Sequence, residues 1–404
     1  MATSARRATL GFLAAFALAL SACGEPKPAT TTPGEGEGED EALGDAQLTG
    51  QGPGGGLSDR LKPKPGADPA IVEIEVLIAQ GKPERALEAA DAAIAADPKK
   101  ARLRYARGNA LSHLGRSDEA RAAFDEAIAL DDTDALPHAA IGNLVGLSEG
   151  ATVADKKRAI DHFQTALKLD PELASAHLAL GVVLLDLREY QRAVEAIETA
   201  DRLKGSVDTA YTLAQVHARL GNDEQALNYA ESALEYEANA SGVDIRLLYA
   251  RLLMKAGRDA DAAEQFERCA KLVPDAPPLR LEVVRGLLDM GMVDAAAVHM
   301  DALLEMVPDE GPVLVNHGRV LAAQGDIEGA LGRFAAAREA QPESQAAWVY
   351  EVQTLAAAKR CKEAEKAATE LAVMLGYVAP KKDPNNPPRA VRRAQDALAA
   401  HGCR

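Results

Sequence analysis

The stretch GPVLVNHGRVLAAQGDIEGALGRFAAAREAQP, residues 311–342, decides the fold. It reads as two segments with helical apolar spacing, parted at Gly325. Gly318 lies twelve residues before Ala330, Phe334 four after it and Pro342 twelve after it. The alanine recurs as Ala86, Ala120, Ala159, Ala193, Ala226, Ala262, Ala296, Ala330 and Ala364, at spacings of 34, 39, 34, 33, 36, 34, 34 and 34. Twelve residues after each comes a breaker or turn position: Pro98, Asp132, Pro171, Gly205, Ala238, Pro274, Pro308, Pro342 and Gly376. Four residues after each comes a mostly bulky one (Phe124, Phe163, Ile197, Phe266, Met300 and Phe334), with Ala90, Ala230 and Ala368 as exceptions. A small residue often stands twelve before, as at Gly108, Gly181, Ala214 and Ala250. Gly142 takes that part in the third copy, ahead of an insertion near 148–152. Such a period marks an array whose copies bury their apolar sides against one another.

This pattern resembles the tetratricopeptide repeat over roughly residues 67–378, with Trp348, Gly318, Ala330, Phe334 and Pro342 at the family's signature positions. The resemblance implies an all-α solenoid (superhelix) of about nine helix–turn–helix repeats. Gly81, Gly115, Gly221, Gly257, Gly291 and Gly325 are expected to close the first helix of their repeats. Three repeats depart from the pattern. Repeat 4 has Arg188 and repeat 9 Lys359 where the turn glycine is usual, and repeat 1 has Ile74 in place of the small residue. Residues 379–404 read as a proline-rich linker followed by a capping helix over Arg389–His401. In that helix Val391, Ala394, Gln395 and Leu398 share a face, and Arg392, Arg393 and Asp396 point outward. The cap would cover the apolar flank that a last repeat leaves without a neighbour.

Composition agrees with this architecture. The 404 residues are 47% hydrophobic and only 4% aromatic, so Ala and Leu carry the interior and an all-β fold is disfavoured. A net charge of -16 argues against nucleic acid as a partner.

Residues 1–22 carry Arg6 and Arg7, then a short apolar run over 11–20, as an export signal does. The end of that run, Leu20-Ser21-Ala22-Cys23, resembles the lipobox of bacterial lipoproteins. The resemblance implies cleavage before Cys23 and lipidation of its sulfur; a plain secretory signal is the alternative. Gly24, where aspartate would signal inner-membrane retention in that family, points to the outer membrane facing the periplasm. Residues 23–66, rich in Gly, Pro and Glu, read as the lipidated Cys and a disordered tether.

The remaining cysteines are Cys269, Cys361 and Cys403. Cys269 occupies a small core position and reads as a buried thiol. Cys361, in the turn of the last repeat, and Cys403, past the cap, lie outside the repeat core. In an exported protein they are expected to form a disulfide, two separate thiols being the alternative.

No catalytic motif, metal set or cofactor fingerprint emerges. Eight scattered histidines include His138 and His177 at one repeat position, and a packing role is preferred over metal binding. No cofactor and no small-molecule substrate are expected. The family resemblance instead implies a groove lined by first helices. Its inward positions divide into two zones. Tyr105, Asn109, Asn143, Tyr211 and Gln215 make a neutral polar zone, and Arg251, Arg285 and Arg319 make a ladder at intervals of 34. The ladder suits a carboxylate; the competing reading pairs each Arg with an acid of a neighbouring repeat, such as Glu282 or Asp289. The expected function is a lipid-anchored envelope scaffold that binds other envelope proteins or peptides, of the kind that assists secretin or pilus assembly. The alternative is an envelope enzyme or enzyme activator in cell-wall or polysaccharide metabolism.

Overall fold

A computed structural model describes residues 68–236, 242–377 and 387–403. The signal segment, Cys23, the tether and the linker at 378–386 lie outside the described residues. Every regular element among the described residues is an α-helix. The chain divides at Leu252/Leu253 into two compact blocks.

The amino-terminal block stacks helical hairpins. Repeat 1 is α1 (Pro69–Ala79) and α2 (Pro83–Ala96), repeat 2 α3 (Ala101–His113) and α4 (Ser117–Leu130), and repeat 3 α5 (Ala135–Gly146) and α6 (Val153–Leu169). Repeat 4 is α7 (Ala174–Asp186) and α8 (Tyr190–Leu203), and repeat 5 is α9 (Val207–Leu220) and α10 (Asp223–Tyr236). The division falls inside α11 (Val243–Lys255). The carboxy-terminal block holds α12 (Asp259–Leu272), then repeat 7 as α13 (Pro277–Asp289) and α14 (Val293–Met306). Repeat 8 follows as α15 (Gly311–Ala323) and α16 (Ile327–Ala340), and repeat 9 as α17 (Gln345–Ala357) and α18 (Cys361–Met374). The cap, α19 (Arg389–Ala400), ends the block.

Local chemistry sets the helix ends. Asp68 caps α1 through the Ala70 amide at 2.8 Å, with Pro69 at the first helical position, where its missing N–H costs nothing. The turn inside a repeat passes through the left-handed region, as at Gly325 with φ 89°. Arg188 and Lys359, with φ 61° and 60°, hold that conformation without being glycine. The insertion lengthens the turn of repeat 3, and a capping box restarts the chain after it. Thr152 Oγ1 accepts from the Asp155 amide at 3.2 Å, and Asp155 Oδ2 accepts from the Thr152 amide at 3.0 Å.

In repeats 2, 3, 4 and 8 the two helices meet where a glycine faces a large side chain. A Cβ added to Gly142 would lie 2.6 Å from the Phe163 ring, and one on Gly318 2.5 Å from the Phe334 ring. Gly108 faces Phe124 and Gly181 faces Ile197 in the same way. All four large partners are buried, each contributing roughly 1.5–3 kcal/mol. Repeats 1 and 9 reverse the sizes. There Ile74 accompanies Ala90, and Val352 accompanies Ala368, each pair inside one apolar cluster.

The loops between repeats are fixed by a bond absent from the sequence reading. Arg104 Nη2 donates to the Pro98 carbonyl at 3.2 Å, and Arg280 Nη2 donates to the Pro274 carbonyl at 2.9 Å. His177 Nε2 lies 3.0 Å from the Pro171 carbonyl and, facing an acceptor, carries the ring proton. Each donor stands six residues after its proline, at the repeat position that Trp348 fills in repeat 9.

The cap buries Ala390, Val391, Ala394 and Leu398 in one cluster with Val349, Val352 and Leu355 of α17 and Leu371 of α18. Cys361, at the first position of α18, is joined to Cys403 by a disulfide with a Cα–Cα distance of 4.9 Å. Lys359 Nζ donates to the His401 carbonyl at 2.8 Å. Contrary to the sequence expectation, Arg393 does not simply point outward. Its guanidinium carbon lies 5.9 Å from the centre of the Tyr350 ring. Cys269 is fully buried and is not disulfide-bonded.

Candidate partner-binding face

First helices are the more buried of each pair in repeats 5, 7 and 8, so few of their side chains remain to meet a partner. In the amino-terminal block, Tyr105 lies over Phe124 with ring centres 5.8 Å apart, and the Arg102 guanidinium sits 5.6 Å from its ring centre. Burial pushes the pKa of its hydroxyl upward. Asn143, at the equivalent position of the next first helix, is exposed. Tyr211 is partly buried. Gln215 is only 6% exposed, which removes it from the open face assigned to it in the sequence. The neutral zone therefore loses Gln215 and keeps Asn109, Asn143 and Tyr211, with Tyr105 over Phe124. Arg102 Nη1 reaches Asp134 at 3.2 Å, linking the first helices of repeats 2 and 3.

Arg251, on α11, and Arg285, on α13, are partly buried and belong to different blocks. Arg319, on α15, is anchored. Its Nη2 meets Asp289 of the preceding repeat at 2.5 Å, and Nη1 donates to Asn316 Oδ1 at 3.0 Å. The guanidinium lies 4.6 Å from the Tyr350 ring centre, and the side chain is 13% exposed. Neighbouring groups thus take up the charge of this rung, as the reading that paired it with Asp289 supposed.

The histidines take structural posts. His138 and His177 do not come together: His138 packs beside His162, with ring centres 6.2 Å apart, while His177 holds its proline carbonyl. Burial holds the pKa of both His138 and His162 below the ordinary imidazole value. Buried His299 lies 2.8 Å from Glu267 through Nε2, while its Nδ1 faces Arg280 Nη1 at 3.2 Å. An arginine can only donate, so Nδ1 accepts and Nε2 carries the proton. Among the described residues no group of three or more His, Cys, Asp or Glu side chains could hold a metal ion. No described helix is long and apolar enough to cross a membrane.

Hairpins of fixed length, joined through left-handed turns and packed small against large, define the architecture. The family model for the tetratricopeptide repeat matches residues 72–135, 154–206, 211–277 and 315–387, well over half the chain. The chain belongs to the tetratricopeptide repeat family. Among solved structures it is similar to the APC/C hetero-tetramer Cut9-Hcn1, with 16% identity, a TM-score of 0.50 and 71% of this chain covered. It spans 55%, about half, of that chain. It is also similar to Pseudomonas aeruginosa pilF, at 20% identity and a TM-score of 0.46, covering 54% of this chain and 96% of that one. YrrB, described as a TPR protein with an unusual peptide-binding site, matches at 24% identity and a TM-score of 0.33, covering 55% and 95%. No curated protein matches. As a tetratricopeptide protein the chain has the fold of a general interaction scaffold, a class that binds peptides or proteins.

The sequence reading missed the arginines and histidine that hold the loop prolines. Their signal was the six-residue interval from proline to a side-chain N–H donor, three times over.

Proposed function

We propose that this tetratricopeptide protein is a lipid-anchored envelope scaffold and not an enzyme, tied to a membrane through Cys23 and binding partner polypeptides on its first-helix face. The anchor rests on the Leu20-Ser21-Ala22-Cys23 sequence, and the long tether after it would let the repeats reach partners away from the membrane. The binding role rests on family membership and on one observation above others: Asn109 and Asn143, at matching positions of successive first helices, carry amides at the face with Asn143 exposed. An amide both donates and accepts, so a row of them suits the alternating N–H and C=O of an extended backbone. Assembly of an outer-membrane complex of the secretin or pilus type is the concrete task that this combination of anchor and scaffold fits.

A photocrosslinker at Asn143 in the full, membrane-anchored chain should capture envelope polypeptides. The same group at the exposed Asp125 on α4 should capture few. Equal yields at both positions would refute the face assignment. Cys23→Ser should abolish incorporation of labelled acyl chains; retained label would refute the anchor.

A further inference from the structure

The cap is held by a covalent bond at its far end, and its side chains run on into the arginine-bearing face. Cys403 follows α19 directly, and its partner Cys361 opens α18. Cys361 is partly exposed while Cys403 is buried, so an attacking thiolate enters at Cys361 and Cys403 is the sulfur expelled. The grip of the cap apart from this bond is modest. It is a twelve-residue helix with four buried side chains, two of them alanine, and no side-chain N-cap bond. From the cap, Arg393 approaches the Tyr350 ring of α17, the same ring stacks near Arg319 of α15, and Arg319 grips Asp289 at the end of α13.

We propose that the Cys361–Cys403 disulfide is a redox latch: its reduction releases α19 and, through Tyr350, loosens α17 and α15. The reductant is a dithiol. One of its thiolates attacks a cystine sulfur and expels the other as thiolate, and its second thiol then resolves the mixed disulfide. The dithiol leaves as a disulfide, having delivered two electrons, and Cys361 and Cys403 each take up a proton to become thiols. Release of the cap follows from the packing alone. Any effect on partner capture rests on the binding role proposed above.

Amide hydrogen exchange on the full chain, before and after dithiothreitol, tests the latch without needing a partner. Reduction should raise exchange in α19 by at least about tenfold and in α15 and α17 by about threefold, with α3 to α8 unchanged. Reoxidation should restore protection. The double variant Cys361→Ser/Cys403→Ser should show the reduced pattern without dithiothreitol. In the oxidised Tyr350→Leu variant α15 should loosen while α19 stays protected, which isolates the relay. Protection of α19 within twofold after reduction would overturn the latch, as would loss of protection across α3 to α8. Release of α19 with α15 unmoved would overturn the relay.

Discussion

In repeat 8 a glycine, Gly318, meets a phenylalanine, Phe334; in repeat 9 Val352 and Ala368 occupy the same two positions. Repeat 8 turns through Gly325, repeat 9 through Lys359, with the same left-handed backbone. Asp326 caps α16 through the Gly329 amide, whereas Arg360, at the same position before α18, makes ion pairs with Glu328 and Glu363 instead. Repeat 8 has a repeat on either side, and repeat 9 has a cap on one. Two of the departures in repeat 9 meet the cap: Lys359 reaches the His401 carbonyl, and Cys361 bonds to Cys403. The larger side chain of the pair sits on the second helix in repeat 8 and on the first helix in repeat 9.

The strongest way to break this comparison is to move the repeat 9 solution into repeat 8. Gly318→Val alone should cost about 3 kcal/mol by overpacking, and Phe334→Ala alone about 3–5 kcal/mol by leaving a cavity. Combined, they should cost at least about 2 kcal/mol less than their sum, because each relieves the other's fault. Denaturant midpoints of the four proteins measure this, and simple additivity would show that the two positions do not share one volume. A smaller test concerns the turns. Gly325→Lys should cost about 1 kcal/mol for placing a side chain at φ 89°. Lys359→Gly should stay within about 0.5 kcal/mol of neutral, since relief of the same strain is offset by loss of the Lys359–His401 bond. A clear gain from Lys359→Gly would show that the bond to the cap contributes nothing.

The smallest effect is expected at the third kind of departure, the lengthened turn of repeat 3. Hydrogen bonds from the Thr152 side chain and backbone, and then from Arg158, hold the Asp155 carboxyl at about 2. A carboxyl with a lowered folded-state pKa stabilises the native state above its unfolded value and loses that contribution as pH falls towards 2. The first turn of α6 should therefore fray on acidification from pH 4 to pH 2. Asp155→Asn should make its amide shifts insensitive to pH over that range. An unchanged titration in the variant would show that another group drives the fraying.

Much of the fold was legible because it is written in residue size. Ala330 answers a steric demand that recurs at every copy and Gly318, Phe334 and Pro342 ones that recur at many, so the period showed without any contact being known. Ile74, Ala90 and Ala368 looked like exceptions, because a compensating pair is visible only when both positions are read together. The face was harder to read. Spacing put Gln215 on it, but its burial depends on what neighbouring helices bring, whereas the Asp289 partner of Arg319 was among the acids the sequence offered. Arg393 was misjudged for the same reason: amphipathic spacing assigns a face but not the ring that waits beyond it.

The proline clasps carry a consequence for how such a chain grows. Each one spans six residues and stitches a junction from within, Arg104 to Pro98, His177 to Pro171, Arg280 to Pro274. A duplicated or deleted segment brings or removes its joint intact, so the length of the array is free to drift while the angle at those joints is inherited.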